Sequence, residues 1–314
     1  MTPPTLPERI KGGLFGLLIG DALGVPYEFH HAREIPPFTQ IEMDPPPDFD
    51  RAHHGTPPGT FSDDGAHALC LLASLLHAGK LDPHDLAQRL TNWYEHGYLA
   101  VDHRVFDIGI QTGRALRAFR TGTPALDAGP HHQNENGNGS LMRVLPLALW
   151  HRGSDAHLAT DAQFQSRVTH GHLRSQLCCA LYCLWARRIL HGTPLDDAWR
   201  DATATLRDLI QNNPDSQAEL EFHIRPDDPP VGTGSGYVVD CLRSARIAAA
   251  AGPYEHAVKT AIQFGNDTDT TACVTGGIAG LRDGIKAIPP RWLAALRAPE
   301  LATPLLEQLL QQVA

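Results

Sequence analysis

Hydrophobic residues recur at intervals of three and four along most of the chain, which is the spacing of one face of an α-helix. Leu14, Leu17, Leu18 and Ala22 share such a face, and this first helix is expected to end near residues 24–26, Gly-Val-Pro. Alternating apolar and polar runs of strand length are scarce. The pattern therefore predicts an all-α fold.

Capping signals mark the starts of two more helices. Ser62 precedes Asp63 and Asp64, which gives an N-cap and two acids that complement the helix dipole. Asp-Pro at residues 82–83 supplies a cap and a proline at the first helical position, and this helix should run to about Tyr94. The periodicity predicts further helices over residues 106–119, 140–150 with a kink at Pro146, 175–190, 195–210, 236–251, 254–264, 270–281 and 304–313.

Two long connections rich in proline and glycine interrupt the helical pattern, over residues 30–61 and 212–235. Loops of this length in a compact domain are usually functional or disordered. Neither connection isolates a segment with a plausible core of its own. We therefore expect one domain over residues 9–314, after a flexible N-terminus of residues 1–8.

The composition allows a sizeable core and argues against two classes of partner. Hydrophobic residues make up 42% of the 314 residues. The 26 Lys and Arg residues against 35 Asp and Glu give a formal net charge of −9, and no dense basic tract is present, so no nucleic-acid partner is expected. Apolar stretches such as residues 69–76 are about half the roughly 20 residues that a membrane-spanning helix needs. Residues 1–13 lack the features of a secretory signal, so a cytoplasmic protein is expected.

Cysteine and histidine are frequent, but their spacing does not predict a metal site. The six cysteines include no CxxC pair, and Cys178, Cys179 and Cys183 lie in one apolar run. We expect reduced cysteines in the core. The 18 histidines include adjacent pairs but no HExxH motif, so most are expected at the surface.

Two acidic clusters at helix starts carry the strongest chemical signal. FSDDG at residues 61–65 crowds one hydroxyl and two carboxylates together, and FGNDTDTTA at residues 264–272 adds Asp267 and Asp269 among threonines. Neighbouring carboxylates either share a proton or recruit a cation, and all-oxygen ligands favour Mg²⁺ or Mn²⁺. Each cluster alone could be an acid-rich N-cap, whereas the two together favour a metal site.

Three segments containing glycine add candidate binding and catalytic groups. GDALGVPYEF at residues 20–29 presents Glu28 as a base, a ligand anchor or an exposed turn residue. NENGNGSLMR at residues 134–143 could offer backbone N–H groups to a phosphate, although an ordinary loop has the same composition. GTGSGYVVD at residues 232–240 offers Tyr237 for stacking on a base or ribose, with a core position as the alternative.

The order of these motifs resembles that of a known family. GDALG with Glu28, SDD, FDIG at residues 106–109, NGSLMR, TH at residues 169–170, SGYVVD and NDTDTT follow one another as in the ADP-ribosylglycohydrolases. The chain looks closest to the bacterial dinitrogenase reductase-activating branch. The resemblance covers about residues 9–295. It implies an all-α, single-domain orthogonal helical bundle with two Mg²⁺ or Mn²⁺ ions at the bottom of a cleft.

The resemblance also implies roles for individual residues. The implied metal ligands are Ser62, Asp63, Asp64, Asp267, Asp269 and Thr270. The implied catalytic carboxylates are Glu28, Asp107 and Asp64. The implied ADP-ribose-binding residues are Asn138, Gly139, Ser140, His170, Gly234, Ser235, Gly236 and Tyr237.

The implied reaction is hydrolysis of the N-glycosidic bond between ADP-ribose and an acceptor, an arginine of a protein above all, with ADP-ribose as product. Two metal ions can orient the ribose hydroxyls and polarise a water. The alternatives are an O-linked substrate such as ADP-ribosylserine or O-acetyl-ADP-ribose, a nucleic-acid adduct, and a catalytically silent ADP-ribose-binding protein. The same resemblance implies a monomer.

Two departures from the family pattern bear on the site. Gly65 stands where relatives usually carry threonine, which removes a hydroxyl and is expected to loosen the helix start. Residues 101–103, Val-Asp-His, replace a Ser-Thr-Gly stretch of relatives of the activating type. The first departure bears on metal affinity, and the second on acceptor specificity.

Overall fold

The chain folds into α-helices joined by loops, as the hydrophobic spacing predicts. A computed structural model describes residues 3–312. The α-helices are α1 Leu6–Gly24, α2 Asp63–Ala78, α3 Pro83–His96, α4 Ile110–Arg120, α5 Leu145–Trp150, α6 Asp155–Arg167, α7 Leu173–Leu190, α8 Leu195–Ile210, α9 Pro214–Ala218, α10 Val238–Ala250, α11 Tyr254–Gln263, α12 Thr268–Asp283, α13 Pro290–Ala295 and α14 Thr303–Gln311. A π-helical segment spans Glu219–Ile224, and 3₁₀ turns span Val25–Tyr27, Ala32–Glu34, Phe38–Gln40, Val101–His103, Ala125–Asp127, Ile285–Ala287 and Pro299–Leu301. Residues 3–312 form no β-strand, so the predicted all-α class is confirmed.

The first helix begins earlier than expected. Thr5 caps α1, since its hydroxyl accepts from the Glu8 N–H at 3.4 Å and the Glu8 carboxylate accepts from the Thr5 N–H at 2.8 Å. Reciprocal bonds of this kind satisfy two of the free donors at a helix start. The segment 1–8 that was predicted to be flexible therefore contains the first residues of α1. Residues 1 and 2, and the predicted helix end at Val313, lie outside the described residues.

Two other predicted helix starts are wrong. Residues 106–109 are not helical, and α4 begins only at Ile110. Residues 140–144 form turns, so Pro146 lies in the first turn of α5 and makes no kink. Proline fits the first turn because its missing N–H has no helical partner there.

Four helical segments were not predicted: α6, α9, the π-helical segment and α13. Helix α6 buries only a narrow strip that includes Leu158 and Ala162, so its composition is too polar to give a helical signal. Helix α9 and the π-helical segment lie inside the 212–235 connection, which is therefore not a loop throughout. The Asn213 side chain caps α9 by accepting from the Ser216 N–H at 3.0 Å.

Helices α1 and α12 pack backbone against backbone through glycines. An added Cβ would lie 2.2 Å from the Gly280 oxygen at Gly12, 2.4 Å from the Gly276 oxygen at Gly16 and 2.1 Å from the Ala272 oxygen at Gly20. Ascending positions on α1 meet descending positions on α12, so the two helices are antiparallel. The end of α1 therefore meets the start of α12, where Gly24 packs against the backbone of Asp269.

Helices α2, α5, α7, α10, α11, α13 and α14 pack against this pair. All six cysteines are free and buried, as predicted. Most histidines are at least partly exposed, whereas His67, His151 and His170 are buried. In the described part of the chain, every helix is too short or too polar to cross a membrane.

Candidate active site

Three helix ends converge and bring the acidic motifs together. Glu28 follows α1, Asp63 and Asp64 begin α2, and Asp267 and Asp269 flank the start of α12. Oxygens of Glu28, Asp267 and Asp269 lie within 4.8 Å of one another. Carboxylates this close attract a cation strongly.

Two hydroxyl groups of the predicted metal set form hydrogen bonds at the helix starts. The Thr270 hydroxyl donates to Asp64 Oδ1 at 3.3 Å and so links motifs that are 206 residues apart. The Ser62 hydroxyl caps α2 by accepting from the Asp64 N–H at 3.3 Å. Ser62 is buried behind the two aspartates and does not line the cleft.

The Asp21 side chain stabilises the start of α2 through hydrogen bonds. Its carboxylate accepts from the Ser62 N–H at 2.9 and 3.0 Å and from the Gly65 N–H at 2.7 Å. A Cβ at Gly65 would lie 2.8 Å from side-chain atoms of Leu18 and Phe61 and 3.0 Å from Asp21. Gly65 therefore allows close packing at this position and does not loosen the helix start.

Backbone bonds fix the start of α12 to the segment after α1. The Phe29 N–H donates to the Asn266 oxygen at 2.7 Å, and the Asn266 N–H donates to the His30 oxygen at 2.6 Å. The Thr268 hydroxyl donates to the Gly24 oxygen at 2.8 Å. These bonds hold Glu28 beside the α12 aspartates.

The buried carboxylates are electrostatically unfavourable without a cation. Burial, and then the neighbouring carboxylates, raise the pKa of Asp63, Asp64 and Asp269 well above the usual range. The same causes raise the pKa of Glu28 to about 11 and that of Asp107 to about 6. A bound divalent cation would reverse this balance, because it stabilises the ionised form.

The donor set fits a hard divalent cation. Asp64 Oδ2 and Asp269 Oδ2 are buried and have no hydrogen-bond partner among residues 3–312. Buried polar atoms normally have partners, so these two oxygens are available to a ligand. The converging groups are carboxylates and hydroxyls, which are ligands for Mg²⁺ or Mn²⁺. These acidic clusters can hold a metal ion.

His53 is an additional member of the site that sequence reasoning missed. Its Nε2 lies 2.6 Å from Glu28 Oε2, and ligand atoms of Glu28, His53 and Asp107 lie within 4.8 Å of one another. The His53 ring packs edge-on against Phe106 at 5.1 Å between centroids. The pair therefore ties the proline-rich connection to the FDIG segment.

A cleft of about 350 Å³ opens above the acidic residues. Its lining includes both acidic motifs, the FDIG segment and the glycine-rich loop. The lining residues are Glu28, Asp63, Asp64, Asp107, Gly109, Ile110, Gln111, Thr112, Gly137, Asn138, Gly139, Met142, His170, Gly236, Asp267 and Thr270. Among these, the Ile110 side chain is largely exposed to solvent.

The glycine-rich loop lines the cleft beside the metal set and contacts one member of it. Gly137 N–H donates to Gln111 Oε1 at 2.7 Å, and Asn138 Nδ2 donates to Asp267 Oδ2 at 2.8 Å. The backbone N–H groups of Gly139 and Ser140 make no hydrogen bond within the described chain. Of these two residues Gly139 lines the cleft, so its N–H is available to an anionic ligand there.

The second glycine loop pairs with the first. Gly137 and Tyr237 form an isolated antiparallel bridge, and the Asn138 N–H donates to the Gly236 oxygen at 3.1 Å. The Tyr237 ring is 39% exposed, and its hydroxyl accepts from Arg174 at 3.0 Å. Tyr237 is thus a fixed, partly exposed aromatic surface and not core filler.

Four of the predicted ligand-binding residues are not in the cleft lining: Tyr237, and the three residues whose contacts follow. The Ser140 hydroxyl is buried and contacts the hydroxyl of Ser166 at 2.8 Å. Gly234 adopts a positive φ of 68°, and its N–H donates to Ser244. The hydroxyl and N–H of Ser235 both donate to Asp240. These contacts hold the two loops in shape.

Comparison with known proteins identifies the relatives of this chain. A family model described as ADP-ribosylglycohydrolase matches residues 2–314. The chain is 30% identical to the ADP-ribosylarginine hydrolase Tri1 of Pseudomonas putida (strain GB-1), over 93% of this chain and 75% of that protein. It is 28% identical to the ADP-ribosyl-[dinitrogen reductase] glycohydrolase of Rhodospirillum rubrum, over 93% of this chain and 92% of that one.

A solved structure shows the same fold over nearly the whole length. It is described as an ADP-ribosylglycohydrolase-related protein complex and has a TM-score of 0.77 and 30% identity. The match covers 98% of this chain and 99% of that chain. The chain therefore belongs to the ADP-ribosylglycohydrolase family.

Proposed function

We propose that this protein is a metal-dependent hydrolase that removes ADP-ribose from an arginine side chain of a modified protein. The observation that carries the proposal is the composition of the cleft. One end combines five carboxylates, and the other combines unbonded loop N–H groups with His170. Cations at the carboxylates would hold the ribose hydroxyls, and the N–H donors would be left for the diphosphate.

The acidic end fits two divalent cations. The proposed ligands are Ser62, Asp63, Asp64, Asp267, Asp269 and Thr270. Bound Mg²⁺ or Mn²⁺ would supply Lewis-acid polarisation and orient the ribose hydroxyls. The unpartnered oxygens of Asp64 and Asp269 support this assignment.

Glu28 and Asp107 are the cleft carboxylates outside that proposed metal set. The leaving guanidine requires a proton, and the attacking water must lose one. Glu28 is buried and held by His53, whereas Asp107 is half-buried on the cleft wall. We propose that these two carboxylates carry out the proton transfers, with Asp64 acting beside them at the metal set.

The donor end fits ADP-ribose. We propose that Asn138, Gly139, His170 and Gly236 contact the diphosphate and ribose. Tyr237 would present its ring to the adenine or its ribose, with Arg174 holding the hydroxyl. The backbone of Ser140, Gly234 and Ser235 would complete the two loops.

An arginine acceptor fits the negative charge of the cleft. A guanidinium is a cation and would approach a cleft that contains Glu28, Asp63 and Asp107. Two relatives at 30% and 31% identity, from Pseudomonas putida and Serratia proteamaculans, carry the name ADP-ribosylarginine hydrolase Tri1. Both observations favour arginine over a hydroxyl acceptor.

The test compares release of ADP-ribose from arginine-, serine- and acetyl-linked substrates with Mg²⁺, with Mn²⁺ and with EDTA. We expect release from the arginine linkage alone, and none with EDTA. Asp267→Asn should abolish release, whereas Glu300→Gln, at an exposed carboxylate, should leave it unchanged.

Other outcomes would replace the proposal. Release from the serine or acetyl linkage would keep the site and change the acceptor. ADP-ribose binding without release from any linkage would indicate a binding protein.

A further inference from the structure

Arg143 is a fully buried guanidinium that contacts no carboxylate in the described part of the chain. Its Nη1 donates to the Gly139 oxygen at 3.1 Å and to Thr169 Oγ1 at 2.7 Å. Its Nε and Nη2 donate to the side chain and backbone oxygens of Gln165 at 3.0 and 2.7 Å. One side chain thus joins the glycine-rich loop to the TH turn.

These bonds fix the direction of the next hydrogen bond. Thr169 Oγ1 lies 2.8 Å from His170 Nδ1, and both residues are buried. An arginine can only donate, so the Thr169 oxygen accepts from Arg143. The hydroxyl proton has no other acceptor among residues 3–312, so it is donated to Nδ1 of His170. Nδ1 is therefore the unprotonated nitrogen.

A neutral ring with a bare Nδ1 carries its proton on Nε2. Burial, together with the charge of Arg143, lowers the pKa of His170 to about 3, so the doubly protonated ring is not populated near neutral pH. Each group therefore donates to the next: the Arg143 guanidinium to the Thr169 hydroxyl, and that hydroxyl to the His170 imidazole.

The Nε2–H group is directed at the cleft. His170 lines the cleft, is only 3% exposed, and its Nε2 has no hydrogen-bond partner within the described residues. A Cβ at Gly139 would lie 2.8 Å from Cε1 and 3.3 Å from Nε2 of this ring, so a side chain at this position would displace the imidazole. The unbonded N–H groups of Gly139 and Ser140 belong to the same loop.

We propose that Arg143 and Thr169 are positioning residues that hold His170 as the Nε2–H tautomer, a donor to a phosphate oxygen of the ligand. Naming that ligand as ADP-ribose rests on the proposed function, whereas the tautomer rests on the contacts of the chain alone. Such an imidazole is uncharged, and it binds the phosphate oxygen through a hydrogen bond alone.

Nitrogen-15 spectra of the histidine rings test the tautomer directly, with the His170 signals identified by their loss in His170→Asn. We expect a protonated Nε2 and a bare Nδ1 in the wild type and in Thr169→Ser. Thr169→Val keeps the shape but lacks the hydroxyl, so the proton should redistribute between the two nitrogens. Its ADP-ribose affinity should fall about tenfold, while that of adenosine, which has no phosphate, should not change.

A wild-type ring protonated on Nδ1 would overturn the proposal, even if Thr169→Val failed to fold. So would a folded Thr169→Val protein that retained both the tautomer and the ADP-ribose affinity. An Nε2–H ring in a protein that does not bind ADP-ribose would support the positioning role and overturn the proposed function.

Discussion

Individual carboxylates in the acidic end of the cleft are buried where their charge is unfavourable. Asp64 and Asp269 each bury one oxygen without a partner in the described chain. A buried carboxylate that lacks a partner costs folding free energy, and a bound cation offsets that cost. Metal binding and stability should therefore be coupled at these positions.

Asp269→Asn should eliminate turnover by weakening metal binding. The amide removes one buried charge, so the metal-free protein should be as stable as the wild type or more stable. Calorimetric titration with Mn²⁺ and chemical denaturation in EDTA measure the two effects. Full activity of this variant in EDTA would contradict the assignment of Asp269 as a metal ligand.

Tyr237→Ala should weaken ADP-ribose binding by about tenfold and leave the metal affinity unchanged. The ring is partly exposed above the loop pair, and only its hydroxyl is bonded, to Arg174. Tyr237→Phe is the matched control, because it keeps the ring and loses that bond. Equal calorimetric affinities for ADP-ribose in Tyr237→Ala and the wild type would refute the role.

At the scale of elements, the site depends on how closely α1 and α12 approach. Gly20 faces the Ala272 oxygen, and Gly24 faces the backbone of Asp269. Any side chain at these positions would separate the helices. The distance between Glu28 and the α12 aspartates would then increase.

Gly20→Ala should destabilise the protein by about 1–3 kcal/mol or more, because the new methyl group would overlap backbone that cannot move aside. Gly113→Ala in α4 is the control, since its nearest atom is the flexible Arg117 guanidinium at 3.4 Å. Alanine is the better helix former, so the control should stay within about 1 kcal/mol of the wild type. Urea unfolding of both variants measures the difference; equal midpoints would show that the glycine contacts are not needed.

Local signals predict the helix starts, and long-range contacts explain what they miss. The cap at Ser62 and the acids after it identify α2 because capping involves residues two or three apart. A row of glycines on α1 predicts a poor helix from local propensity. Its role is visible only in the contact with α12, which lies far along the chain. His53 belongs to a proline-rich loop, and only the fold brings it to Glu28.

The same distinction applies to the residues that orient the groups lining the cleft. Arg143 and Gln111 lie within or near recognisable motifs, yet their bonds to Thr169 and Gly137 cross 26 residues of sequence in each case. Composition and periodicity contain no information on such pairs. The motif residues of the site could therefore be predicted, and the residues that orient them could not.

At the scale of the whole molecule, the buried acids make stability depend on pH. Burial raises the pKa of Asp21 to about 7 and, with the charge of Asp267, that of Asp107 to about 6, from 3.8. These groups hold protons more tightly in the folded state than in the unfolded state. Their contribution is complete below about pH 4 and is lost as the pH rises through the folded values.

The metal-free protein should therefore lose stability between about pH 4 and about pH 7. Saturating Mg²⁺ should oppose that loss, because a divalent cation at the neighbouring carboxylates stabilises the ionised form of both groups. Denaturant midpoints across this range, in EDTA and in Mg²⁺, provide the measurement. Parallel curves under the two conditions would exclude these carboxyl groups as the cause.

The antiparallel contact of α1 with α12 also has a consequence for synthesis. Gly24 and Thr268, whose hydroxyl donates to the Gly24 oxygen, are 244 residues apart. At about 5–20 residues per second, a ribosome needs on the order of ten to fifty seconds to make the intervening chain. Throughout that interval the nascent α1 lacks its partner helix, and the acidic residues after it lack the second half of their set. The newly made chain must therefore reach α12 before a cation can stabilise it.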